Sequence, residues 1–93
     1  MADELPPEFY DLADRFIELA NELTRIQGPQ RISAVMLFAA ARFNAHCLFD
    51  VDSEAVKNRE QAVSYFVGQY RSMLEGNVEE FLRSQRDLNS PEE

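Results

Sequence analysis

Val35-Met36-Leu37-Phe38-Ala39-Ala40-Ala41 is an unbroken apolar run, and it sits inside a longer apolar stretch from Ile32 to Phe49. Only Ser33, Arg42, Asn44 and His46 interrupt that stretch. A surface helix normally keeps a polar face. These four residues do not make a broad polar stripe on a helical wheel. A helix of this kind wants contacts all round, so it reads as the central element of an all-α protein. Two further helices cover only part of it. Each large apolar side chain left in water forgoes roughly 1.5–3 kcal/mol of burial. Val35, Phe38 and Phe49 share one side of the helix, with Arg42 and His46 beside them. An apolar centre with an arginine neighbour is the composition of an interface core. The expectation is a protein that meets a second subunit there.

Working outward, the segment before this stretch is amphipathic. Phe9, Leu12, Ala13, Phe16, Ile17, Ala20 and Leu23 recur at helical spacing. Glu8, Asp11, Arg15, Glu18, Glu22 and Arg25 take the opposite face. Pro7 suits the first helical position, where its missing N–H costs nothing. Gly28-Pro29 is a stop signal, and Pro29 can open the central helix. Asp50-Val51-Asp52-Ser53 is the next break, with Asp52 or Ser53 available as N-cap. The third segment gathers Ala55, Val56, Ala62, Val63, Phe66, Val67, Tyr70, Met73 and Leu74 on one arc. Gly76-Asn77 reads as a break or bend, Asn77 capping a short C-terminal helical extension with Glu80 three residues on.

Short connections make neighbouring helices antiparallel. The predicted fold is therefore an up-down-up bundle of three long helices with that extension. Residues 1–6 read as an acidic leader, 7–86 as a single helical bundle domain, and 87–93 as a disordered tail. Ninety-three residues suffice for one modest core. Hydrophobic residues make up 45% of the chain and aromatics 11%, which is globular rather than disordered composition.

Seventeen acidic against nine basic residues give a net charge of −8. That charge offers no general attraction to phosphate backbones or anionic membranes. No nucleic-acid partner and no membrane partner are expected. The acidic N-terminus lacks the apolar core of a signal peptide. The central apolar stretch reads as too short and too interrupted to span a bilayer. A cytoplasmic location follows. Cys47 is the sole cysteine, so it forms no disulfide within the chain, and its apolar setting suggests a buried structural thiol.

The chain holds no phosphate-binding glycine loop, no metal-ligand spacing and no catalytic pair, so no cofactor, metal or catalytic residue is expected. His46 and Cys47 are adjacent, and successive helical positions point about 100° apart. They are poorly placed as base and nucleophile. The polar residues that interrupt apolar faces form the candidate site: Asp11, Asp14, Asn21, Arg42, Asn44, His46 and Arg59. In the predicted bundle, all but Asn21 fall in one half of the molecule. Arg59 lies near the middle of the third helix's apolar arc. A charge in such a setting must be paired. One reading is a structural network in which Asp11 and Asp14 neutralise Arg42 or Arg59. The other is a pocket for a carboxylate or phosphate. Tyr10 and Tyr65, near polar boundaries, are further interface candidates beside Val35, Phe38 and Phe49. Met36 and Met73 read as core filler.

Three blocks carry a resemblance. Residues 9–22, FYDLADRFIELANE, resemble the opening of a small proteobacterial family known as a domain of unknown function. Residues 39–45, AAARFNA, and 62–74, AVSYFVGQYRSML, are similar to its other two blocks. The likeness spans roughly residues 9 to 82. It implies a bacterial cytoplasmic helical protein and brings no activity or catalytic residue with it. The functional expectation is a self-associating interaction or adaptor module acting as a homodimer, or with another protein. The alternative is a binding protein or enzyme for a small anionic metabolite.

Overall fold

The computed structural model describes residues 5–51 and 58–89. Every element in them is helical: α1 spans Pro7–Gln27, α2 spans Pro29–Val51 and α3 spans Arg59–Asn89. The all-α expectation is met. The residue contacts divide the chain into two units, Met1–Cys47 and Leu48–Glu93.

In the first unit, α1 starts where the sequence placed it. Pro6 is extended at φ −65° and ψ 154°, and Pro7 occupies the first turn. No side chain caps this end, and the Pro6 carbonyl accepts the Phe9 N–H at 2.9 Å. Glu8 lies in the first turn and Arg25 in the last, each complementing the helix dipole. A single residue, Gly28, joins α1 to α2. Its N–H donates to the Thr24 carbonyl at 2.8 Å, and its carbonyl accepts the Ile32 N–H at 3.2 Å. It therefore closes one helix and opens the next. Its φ of 91° with ψ of 150° is open to glycine and strained for any residue with a Cβ. Across this joint the Arg31 guanidinium donates to the Gln27 side-chain carbonyl at 3.1 Å.

In the second unit, α3 is continuous for 31 residues. The expected break at Gly76-Asn77 does not occur. The Asn77 side-chain amide donates to the Met73 carbonyl at 2.8 Å, one turn back, instead of capping a new helix. Val78, Phe81 and Leu82 keep the apolar phase, so the extension is the last part of α3. Of the expected disordered tail, residues 87–89 continue α3 as helix. Asn58 precedes α3, and its carbonyl accepts the Ala62 N–H at 3.0 Å. The proposed N-caps Asp52 and Ser53, the apolar residues Ala55 and Val56, and residues 1–4 and 90–93 lie outside the described residues. An exposed Arg71–Glu75 ion pair at 3.0 Å links successive turns of α3.

Ile32 alone among the described residues is a buried hydrophobic. The expected core fillers Met36 and Met73 are exposed, and Cys47 is half-buried. The helical faces that the sequence marks as apolar are present, and their large side chains are exposed.

Candidate interaction surface

Of the polar residues singled out in the sequence, α1 carries Asp11, Asp14 and Asn21, and all three are exposed. On α2, Arg42 and His46 are exposed and Asn44 is half-buried. No ion pair joins Asp11 or Asp14 to Arg42 among the described residues. Arg59, expected within an apolar arc, is the exposed first residue of α3. The burial cost that called for paired charges does not apply to Arg42 or Arg59, because water still solvates them. Arg59 borders a shallow concavity with Glu60, Val63, Ser64 and Val67. All five belong to one helix, so this is relief between side chains of α3. No cluster of three or more histidine, cysteine or carboxylate side chains suited to a metal occurs among the described residues.

The apolar residues give the more informative geometry. On α1 they follow a regular pattern. Phe9, Leu12, Phe16, Leu19, Leu23 and Ile26 are separated by alternating steps of three and four residues, and Leu5 extends the series by four in front of the helix. This is the spacing of a coiled-coil seam, with Phe9, Phe16 and Leu23 at a and Leu12, Leu19 and Ile26 at d. Asp14 and Asn21 fall at f, on the far side. Every seam residue is exposed, from 38% at Leu23 to 76% at Ile26. Leu5, Leu19 and Ile26 were not singled out in the sequence. The alternating spacing was the signal that could have found them, where a search for a broad apolar arc favoured Ala13, Ile17 and Ala20.

The interface candidates on α2 are also open: Val35 is 50% exposed, and Phe38 and Phe49 are each 65% exposed. On α3, Val67, Leu74, Phe81 and Leu88 recur every seven residues and are likewise exposed. Tyr10 and Tyr65 remain on the surface, each with its ring edge-on to a neighbour. Tyr10 meets Phe9 with centroids 5.5 Å apart, and Tyr65 meets Phe66 at 5.4 Å.

One expectation about α2 needs correction. Pro29–Phe49, 21 residues at a mean hydropathy of 1.4, is long and apolar enough to cross a membrane by length and composition. Length therefore does not exclude it. Arg42 and His46 in its second half do oppose a spanning role, since an arginine near the bilayer centre costs roughly 2.5–3.5 kcal/mol on insertion scales.

Compared with known proteins, residues 9–82 match a family model described as "Protein of unknown function (DUF3144)". No curated protein and no solved structure matches the chain.

Proposed function

Since the chain belongs to the DUF3144 family, whose description assigns no activity, we propose from its geometry that it is a helical interaction module that completes its core by self-association. The reading has it act as a homodimer, in the cytoplasm, on protein surfaces. One observation carries it. Ile32 is the buried hydrophobic among the described residues, while each of the three helices leaves large apolar side chains in water. Contiguous apolar surface beyond a few hundred Å² marks an interaction site on a soluble protein. A net charge of −8 favours a protein partner over a phosphate backbone or an anionic bilayer.

An anion site at Arg42 and Arg59 draws no comparable support. The concavity at Arg59 is lined by a single helix and includes the Glu60 carboxylate, which repels an anion. Sedimentation velocity of the full chain at tens of micromolar tests the proposal. The expected species has twice the 10.7 kDa chain mass. A compact monomer at the highest accessible concentration refutes self-association.

A further inference from the structure

Resting on that reading, we propose that two copies pair antiparallel along α1, in the one register that sets Arg15 of each against Glu22 of the partner subunit. The apolar seam of α1 comes first in the argument. Its six helical members, Phe9, Leu12, Phe16, Leu19, Leu23 and Ile26, keep the alternating three–four step over the whole helix. A seam of this kind fits another seam of the same kind, and a second copy supplies one. With 38% to 76% of each residue exposed, at roughly 200 Å² for a large apolar residue, the seam offers about 650 Å² per copy. The aliphatic stems of the flanking residues bring this near the ~800 Å² per partner of a standard interface.

The flanking residues decide orientation. With Phe9, Phe16 and Leu23 at a, the g positions are Glu8, Arg15 and Glu22, and the e positions are Ala13, Ala20 and Gln27. In a parallel dimer g meets e of the partner. That matches Glu8 with an alanine, Arg15 with an alanine and Glu22 with a glutamine, so no charge finds its opposite. In an antiparallel dimer g meets g, and e meets e. The register is then fixed by which charges face each other. Setting Phe16 against Leu19 of the partner subunit stacks Phe9 on the partner's Ile26 and Leu12 on the partner's Leu23. This layering uses all six seam residues and brings Arg15 beside Glu22 of the partner subunit, twice by symmetry. The opposite flank places Ala13 beside Ala20 of the partner subunit, where small side chains let the helices approach.

A slip of one heptad in one direction sets Arg15 against Arg15 of the partner subunit and Glu8 against Glu22 of the partner subunit. A slip in the other direction sets the two Glu22 carboxylates together. Both carry like-charge contacts, so the sequence disfavours the neighbouring registers as well as supporting this one.

Charge reversal tests the register, because all the substitutions fall at exposed positions of one helix. Sedimentation equilibrium of the full chain at low salt is measured for the natural sequence, Arg15→Glu, Glu22→Arg and the double variant, each checked for helicity by circular dichroism. Each single reversal turns two attractive contacts into two repulsive ones and is expected to weaken dimerisation at least tenfold. The double variant restores the pairing with signs exchanged and is expected to return to within about threefold of the natural chain. Phe16→Glu is expected to give a helical monomer. A natural dimer unaffected by either single reversal, or one the double variant does not rescue, overturns the α1 pairing and leaves the self-association reading standing. A monomer from the natural sequence overturns both and assigns the seam to another element of this chain or to a different protein.

Discussion

Gly68 and Gly76 lie inside α3, where glycine is the costliest ordinary residue for a helix. Replacing both with alanine should therefore stabilise the protein, and the structure allows the size to be worked. Beyond its chain neighbours and the backbone of its own helix, an alanine Cβ at either site meets no atom within 4 Å, so no steric clash opposes the gain. Neither glycine has a positive φ, so the backbone accepts a side chain without strain. Gly to Ala in an exposed helix interior is worth about 0.8–1.0 kcal/mol. The sites are eight residues apart, or about 12 Å along the axis, far enough for their effects to add. The pair should contribute about 1.5–2 kcal/mol, roughly 6–16 °C in Tm for a domain of this size. Thermal and urea unfolding followed by far-ultraviolet circular dichroism measures it, at one fixed protein concentration so that association does not confound the comparison. If Gly76→Ala lowered stability, the reasoning would fail at its first premise. A neighbour or a bend would then occupy the site, and α3 would not be the unbroken helix described.

Three further outcomes are expected. Gly28→Ala should destabilise by about 1–3 kcal/mol, because no Cβ crowds the site and the whole cost comes from its backbone conformation; urea unfolding measures it. Arg59→Ala should change stability by no more than about 0.5 kcal/mol, as for an exposed residue, and a loss of several kcal/mol in the same unfolding assay would show a buried, paired arginine. A panel of carboxylate and phosphate metabolites should leave the melting temperature unmoved. Against this, an anion site filled at 100 times its dissociation constant would add about 2.7 kcal/mol, and a saturable shift lost on Arg42→Gln or Arg59→Gln would establish one.

The sequence made some features legible because they are set by chemistry a few residues long. Gly28-Pro29 ends one helix through a positive φ that suits glycine and opens another at a first-turn position that suits proline, and the structure places the joint there. Gly76-Asn77 carries the same kind of signal and fails. A local breaker yields when both flanks are helical in the same phase, and the Asn77 amide finds an acceptor on its own helix. The site was harder to read. Placing Arg42 and Arg59 in apolar surroundings took position on a helical wheel as a measure of burial, and both are exposed. Wheel position gives the direction a side chain points, and says nothing of what lies opposite. The α1 seam was present in the spacing of Phe9, Leu12, Phe16 and Leu19 all along. Reading it required distinguishing an alternating three–four step from a general apolar face, and Ile17 and Ala20 blur that distinction.

The joint at Gly28 has a mechanical consequence. Two helices of 21 and 23 residues meet at one residue, so the torsions of that residue steer both. Through an arm of about 30 Å, a 10° rotation there sweeps the far end by roughly 5 Å. A hinge of several residues spreads such error; a hinge of one transmits all of it. Gly28 also has no side chain for a ligand to grip or an enzyme to modify. The Arg31–Gln27 hydrogen bond bridges the pivot from one arm to the other. A substitution that alters the Gly28 torsions therefore displaces atoms a full helix length away.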